Sequence, residues 1–218
     1  ADEIIASLSR LRWLRVIARE SSFRFRQEGV DLDAIRRILG AGYAMTGRVD
    51  PSGGRLVVSV TLIDTGTGAV VWADRFTPHL DDIHGARQEI VDAVVGALDL
   101  QIPQAEAMAA RGKPTEALDA WGAYHLGMSH LHRYNAHDNA IAKALLERAT
   151  TLDPGFAVAY AARAFARFQD GIQWFASDRL KAREDVRSLA ERAYELDPLD
   201  PFANMAMGRW HWMAGRPD

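Results

Sequence analysis

The 218-residue sequence contains no cysteine. Disulfides, cysteine nucleophiles and thiolate metal sites are therefore all excluded. No stretch approaches the roughly 20 consecutive apolar residues that a membrane-spanning helix requires. A basic excess is missing too: the formal net charge is −3, whereas a nucleic-acid-binding surface usually carries clustered positive charge. We therefore expect no membrane segment and no direct nucleic-acid binding by this region.

The chain also lacks an initiator methionine and a basic leader, because it begins with Ala1, Asp2 and Glu3. We interpret it as an excised fragment of a longer protein. The absence of cysteine favours the cytoplasm, and a periplasmic location stays open if a membrane helix precedes this region. A length of 218 residues, with 48% hydrophobic and 25% charged residues, suits one large domain or two small ones.

Residues 43–76 predict a β-meander. In its middle strand, apolar residues from Leu56 to Leu62 alternate with polar ones such as Ser59 and Thr61. The predicted strands are Tyr43–Val49, Leu56–Asp64 and Ala69–Phe76, and the turns between them are Asp50–Gly54 and Thr65–Gly68. The apolar face of such a sheet must be covered by helices or by another sheet.

Helical periodicity flanks the meander on both sides. The predicted elements are a helix Asp2–Leu11, a short strand Leu14–Arg19, a helix capped by Asp31 or Asp33 that ends at Leu39, a helix Ile83–Leu100 capped by Asp81 or Asp82, and a helix tail with linker over Gln101–Pro114. Gly40 and Gly42 follow a helix and precede a strand. This order indicates a helix C-cap, because a dinucleotide-binding glycine turn follows a strand and opens a helix.

Two polar clusters in this half have a functional alternative. Six arginines between residues 10 and 26 could bind phosphate or nucleic acid, and the plainer interpretation is that they are solvated charges. Four residues around the third helix start could ligate a metal, and the plainer interpretation is that the carboxylates cap that helix. They are His79, Asp81, Asp82 and His84.

The second half is rich in alanine and contains an internal repeat. The segment Ala149–Pro154 matches Ala193–Pro198, and each is preceded and followed by a helical segment. Repetition on this scale predicts helix pairs that stack as a solenoid, each burying its apolar face on its neighbours.

This half resembles tetratricopeptide repeats over two repeats and the first helix of a third. Pro154 and Pro198 correspond to the repeat-ending proline. The small residues of the repeat correspond to Gly127, Ala142, Ala149, Ala164, Val186, Ala193 and Gly208. The match departs from the family pattern in two ways: the spacing exceeds about 34 residues, and the aromatic expected before the first-helix glycine is present only as Tyr160.

The resemblance implies an inner groove that binds a protein, a peptide or another domain of the parent chain. Aromatic and Met side chains there suit an apolar peptide or an amphipathic helix. The alternative is that these side chains belong to the core or contact the rest of the third repeat. The corresponding positions are Trp121, Tyr124, Met128, His132, Phe165, Phe168, Phe202, Met205, Arg209 and Trp212.

The first half resembles the TolB-like amino-terminal domain. The matching segments are Leu39–Val49, Leu62–Gly68 and Trp72–Phe76, and Trp13–Arg19 and Leu80–Ile83 agree with them. Combined with tetratricopeptide repeats, this domain occurs in bacterial signalling proteins. There it follows either a class III adenylate/guanylate cyclase domain or a winged-helix DNA-binding domain. The family has an additional strand before its first helix, and its absence here would leave one sheet edge unpaired.

We therefore predict three regions. Residues 1–100 form an α+β domain in which a small mixed sheet with a meander is covered by helices. Residues 101–116 are a linker or helix tail, and 117–218 form an all-α repeat domain. The leading hypothesis is a non-catalytic regulatory and protein-interaction module of a bacterial adenylate/guanylate cyclase; the alternative is an effector or scaffold region of a winged-helix transcriptional regulator.

No catalytic residue, cofactor or metal site is predicted. The enzyme alternative would use one segment rich in histidine, but no pair in it has the four-residue separation of metal-binding helices. Its members are His125, His130, His132, His137 and Asp138.

Overall fold

A computed structural model describes residues 2–25, 31–52, 55–79, 83–175 and 178–215 of the chain. The fold is α+β: the described residues form one three-stranded antiparallel sheet, with short helices before it and longer helices after it. The chain divides into two compact units, which are residues 1–102 and 103–218. Within the described part of the chain, no helix is both long enough and apolar enough to cross a membrane.

The elements are as follows. The first unit contains α1 (Asp2–Leu8), α2 (Arg19–Ser22), a 3₁₀ turn (Phe23–Phe25), α3 (Leu32–Leu39), β1 (Tyr43–Ser52), β2 (Arg55–Asp64) and β3 (Val70–Phe76). Helix α4 (Ile83–Arg111) contains the division between the units. The second unit continues with a 3₁₀ turn (Thr115–Ala117), α5 (Ala120–Leu131), α6 (Ala136–Leu152), α7 (Ala157–Ile172), α8 (Arg179–Leu196) and α9 (Pro201–Met213).

The predicted β-meander is confirmed, with strand order β1-β2-β3. Leu62 pairs with Met45 on one side and Trp72 on the other. Val60 and Leu62 are 5% and 1% exposed, so the alternation in β2 does mark the buried face. The prediction of a mixed sheet was wrong, because every strand pair in the described residues is antiparallel.

Strand β1 also runs further than predicted, through Pro51 and Ser52, which the sequence placed in a turn. Proline cannot donate a hydrogen bond to a sheet, so it is tolerated on an edge strand such as β1. Gly53 and Gly54, in the same predicted turn, lie outside the described residues.

The predicted strand Leu14–Arg19 was wrong. Residues 14–18 belong to no helix or strand, and Arg19 begins α2. A short alternating pattern becomes a strand only where a neighbouring strand supplies hydrogen bonds, and the pattern alone does not reveal that. This segment is held by a side chain instead: Trp13 Nε1 donates to Asp99 Oδ1 of α4 at 3.1 Å.

Helix α3 has the ends that the sequence predicted. The Asp31 carboxylate accepts a hydrogen bond from Ala34 N at 2.9 Å. Gly40 ends the helix with φ of 64°, the left-handed conformation that favours glycine, and its N–H donates to Arg36 O. The C-cap interpretation of Gly40 is therefore confirmed over the dinucleotide-binding one.

Helix α4 extends to Arg111, so most of the predicted linker Gln101–Pro114 is helical. It continues through Pro103, although proline removes one helical hydrogen bond. Tertiary burial accounts for this: Leu98 and Ile102, which precede Pro103, are 3% and 1% exposed. The predicted caps Asp81 and Asp82 lie outside the described residues.

The second unit is a series of packed helices, and the core between α7, α8 and α9 is rich in alanine. Helix α5 packs on α6, and α7 packs on α6, α8 and α9. Six alanines of α7, α8 and α9 form one buried cluster, which lets these helices approach closely. They are Ala161, Ala164, Ala190, Ala193, Ala203 and Ala206.

Candidate partner-binding surface

Six of the ten predicted groove positions lie on α7 and α9. Phe165 and Phe168 are three positions apart on α7, so they share one side of that helix. Helix α9 starts after Asp200, whose carboxylate accepts from Ala203 N at 2.7 Å. It carries Phe202, Arg209 and Trp212. Because α7 and α9 pack together, these side chains meet.

We call the resulting set of rings the aromatic cluster; it comprises Tyr134, Phe165, Phe168, Phe202 and Trp212. The Phe165 ring lies 6.3 Å from the Phe202 ring and 6.4 Å from the Phe168 ring, measured between centroids. The Phe168 ring lies 5.9 Å from Trp212, edge to face. Such geometry is favourable for aromatic pairs. Phe165 is buried, Phe168 and Phe202 are half-buried, and Trp212 is 61% exposed, so the cluster has an inner and a solvent-facing side.

Arg209 lies on this cluster. Its Cζ atom is 4.0 Å from the centroid of Phe165 and 5.5 Å from that of Phe168. Ring faces attract a cation in this arrangement. Partial burial lowers the pKa of Arg209, and the phenol of Tyr134 acts in the opposite direction. Its Nη1 atom is shielded from solvent and has no hydrogen-bond partner in the described part of the chain.

Sequence analysis missed Tyr134, which lies between α5 and α6. It has φ of 52°, unusual for a residue with a side chain. Its ring lies 6.3 Å from Phe165, edge to face. Its position between two helices does not reveal which helix the ring contacts, so the sequence did not predict its place beside Phe165.

The segment that carries Tyr134 is held by Asp138. This carboxylate accepts from Asn135 Nδ2 at 2.7 Å, from His130 Nδ1 at 2.6 Å and from Arg133 Nη1 at 2.9 Å. The hydrogen bond from Asn135, followed by that from His130, lowers the pKa of Asp138 to about 2. Asn135 in turn caps α6 by accepting from Asp138 N at 2.9 Å.

Trp121 and Tyr124 of α5 lie in a second set of rings. Both contact Phe156, which sequence analysis also missed, with centroid distances of 6.3 Å and 5.1 Å. Both also lie against His125, which is 3% exposed. Burial lowers the pKa of His125 to about 4.

The remaining groove positions are more isolated from these rings. Met128 is half-buried, whereas Met205 and His132 are exposed. These contacts do not test whether any of the predicted groove residues binds a partner. That role therefore stays a prediction.

Two members of the histidine-rich segment, His130 and Asp138, share a hydrogen bond of 2.6 Å. Over the residues that the structure describes, no three histidine, aspartate or glutamate side chains approach closely enough to hold a metal ion together. Of the other predicted metal cluster, Asp81 and Asp82 lie outside those residues, so it is not addressed by this observation.

A buried carboxylate on α7 joins this helix to α6. Asp170 is 1% exposed and accepts from Lys143 Nζ at 2.7 and 2.9 Å and from Asn139 Nδ2 at 2.7 Å. Arg167 lies 3.4 Å away and also pairs with Asp185 of α8 at 3.1 Å. This network links α6, α7 and α8, and α7 is the helix that carries Phe165 and Phe168.

No protein-family model matches the chain. The chain is 27% identical over 200 residues to a protein named putative adenylate cyclase 3 from Rhizobium meliloti (strain 1021). The aligned region covers 92% of this chain and 34% of that protein. The chain thus spans about a third of the length of the curated relative it matches. The similarity itself links the chain to adenylate cyclase proteins.

Proposed function

We propose that this chain is a non-catalytic regulatory and protein-interaction module of an adenylate cyclase. In this proposal the first unit is a TolB-like domain and the second is an array of tetratricopeptide type. The aromatic cluster of α7 and α9 is the surface that contacts a partner segment, either of another protein or of another domain of the parent chain.

The similarity to the putative adenylate cyclase is the observation that carries the proposal. It extends over nearly the whole chain, yet covers only about a third of that protein. The activity stated in its name therefore need not reside in the aligned part. A region of this kind changes the activity of a catalytic domain only if it makes different contacts in two states of the parent.

Packing of the small residues supports the repeat assignment. Ala142, Ala149, Val186 and Ala193, which align with small positions of the tetratricopeptide pattern, are all 0% exposed. A Cβ atom on Gly127 would lie 2.9 Å from Leu146 Cγ, so α5 and α6 approach closely at the position of the repeat's first-helix glycine.

The exposure of the aromatic cluster supports a docking role. Trp212 is 61% exposed and lies next to half-buried Phe168. Met205, on the same helix as Trp212, is 46% exposed. Large apolar side chains that are grouped and partly exposed are typical of protein-interaction sites.

The experiment is a cyclic AMP assay on the full parent protein. Its arms are the intact protein, a deletion of the region that corresponds to this chain, and the double variant Phe168→Ser with Trp212→Ser. Leu199→Ser is the matched control, because Leu199 is 73% exposed and has no place in the cluster. We expect the deletion to change cyclic AMP production, the double variant to change it in the same direction, and the control to leave it unaltered.

Three outcomes are possible that would each contradict a different element of the proposal. Equal production from the intact and the deleted protein would exclude a regulatory role. If neither the intact nor the deleted protein produced cyclic AMP, the parent would not be an adenylate cyclase. A DNA-binding assay would then test the winged-helix alternative. A double variant that behaves as the control does would place the regulatory contact elsewhere on the chain.

A further inference from the structure

Arg209 lies against aromatic rings, and none of the described residues supplies it with a counter-charge. Its guanidinium lies against the rings of Phe165 and Phe168, and the phenol of Tyr134 is close enough to raise the pKa of Arg209. No ion pair or hydrogen bond of Arg209 occurs within the residues that the structure describes, and Nη1 is shielded from water. Ring faces attract a cation but accept few of the five N–H donors that a guanidinium carries.

Two other arginines of the same unit lie against an aromatic ring and also bind an oxygen acceptor. Arg187 lies 5.8 Å from the ring of Trp210 and pairs with Glu191 at 2.9 Å. Arg163 lies 6.0 Å from Tyr160 and bonds to Thr150 and Glu147. Both combine a ring with an oxygen acceptor, whereas the described residues offer Arg209 only rings, as they do Arg183, which lies 5.5 Å from the ring of Trp210.

We infer that Arg209 binds a carboxylate of the partner segment, and that this segment carries an acidic residue next to an apolar one. The inference deepens the proposed function and rests on it, since it specifies the chemistry of what the aromatic cluster binds. A planar guanidinium matches a carboxylate with two parallel N–H···O bonds. The apolar neighbour of the acidic residue would contact the exposed ring of Trp212.

The surroundings of Arg209 favour such a ligand over an uncharged one. An open groove lies beside the cluster and shares Trp212 with it; its lining residues are Gly171, Ile172, Leu180, Arg183, Trp212 and Met213. An apolar peptide alone would bury Arg209 further and leave its N–H groups without acceptors, which is costly. A carboxylate supplies both the counter-charge and the acceptors, and the groove accommodates the apolar neighbour.

The test uses a displayed library of random twelve-residue peptides, selected on the intact 218-residue chain. Peptides whose binding is lost in the Phe168→Ser and Trp212→Ser double variant are then synthesised. We expect these peptides to contain Asp or Glu next to an apolar residue. Changing that acid to its amide should weaken binding about tenfold or more, and raised salt should weaken binding of the acidic form.

Arginine variants complete the cycle. Arg209→Met keeps an apolar stem on Phe165 and removes the charge, so the acid-to-amide change in the peptide should have almost no further effect on it. Arg209→Lys keeps the charge without the planar fork and should bind with intermediate affinity. Arg187→Gln removes one positive charge of an exposed pair elsewhere in the unit and should bind as the unaltered chain does. Circular dichroism and urea unfolding of each variant show that it is folded before its binding is compared.

The outcomes separate this inference from the proposed function. Peptides that depend on Phe168 and Trp212 but show no preference for an acid would uphold the groove and overturn the role of Arg209. That role would also be overturned if the acid-to-amide change weakened binding as much with Arg209→Met as with Arg209. If no selected peptide depends on Phe168 and Trp212, the groove itself is refuted, and the inference with it.

Discussion

Gly127 in α5 offers a direct test of how closely α5 and α6 pack. A Cβ atom added there would lie 2.9 Å from Leu146 Cγ and 3.0 Å from Leu146 Cδ2. Leu146 is 0% exposed, so it has little room to move away. Overpacking of this kind costs about 1–3 kcal/mol. Glycine to alanine inside a helix gains about 1 kcal/mol from helix propensity, so Gly127→Ala should destabilise the protein by up to about 2 kcal/mol.

Gly208 in α9 provides the matched control. It also lies inside a helix of the same unit, but an added Cβ atom there would meet nothing within 4 Å. Gly208→Ala should therefore gain the propensity contribution alone, about 1 kcal/mol. Because that contribution is common to both variants, the difference between them isolates the packing cost of about 1–3 kcal/mol.

The assay is urea and thermal unfolding of both variants followed by circular dichroism. For a unit of this size, 1 kcal/mol corresponds to about 4 °C in the melting temperature. We expect Gly208→Ala to melt above the unaltered chain and Gly127→Ala to melt at or below it. If both variants shifted equally and upward, the close approach of α5 to α6 at Gly127 would be refuted.

The remaining predictions concern the buried Asp170 network and the loss of stability at acidic pH. Asp170→Ala leaves the Lys143 ammonium without its carboxylate and removes one of the two acceptors of Asn139 Nδ2, so we expect a loss of about 3 kcal/mol in urea unfolding; a loss no larger than that of an exposed control such as Asp153→Ala would contradict the buried network. The pKa values of His125 and Asp138 both lie below their ordinary values, so each contributes stability that falls on acidification. The His125 contribution should be lost from pH 6.5 towards 4, and that of Asp138 from about 3.8 towards 2. NMR titration of the His125 ring checks the first, and the urea midpoint of Asp138→Asn across the lower range checks the second. A His125 pKa near 6.5, or an unchanged acid response in Asp138→Asn, would refute the corresponding assignment.

The sequence by itself determined the features that depend on a few neighbouring residues. The β-meander follows from alternation and turn residues, and it was confirmed with its buried face at Val60 and Leu62. The ends of α3 follow from Asp31 and Gly40, because a cap acts within one turn of the helix. The small residues at Ala149 and Ala193 recur with the repeat, and both are fully buried.

Tertiary structure decided whatever depends on distant partners. Residues 14–18 alternate as a strand does, but a strand needs a neighbour, and here Trp13 bonds to α4 instead. Pro103 looks like a helix end in the sequence, yet burial around Ile102 keeps α4 continuous. The repeat resemblance placed Arg209 in the groove with Phe165, but no sequence signal placed Tyr134 there, because its contact requires the α5–α6 segment to pack on α7. Local chemistry therefore specified the elements, and the packing of α7 on α9 specified the candidate site.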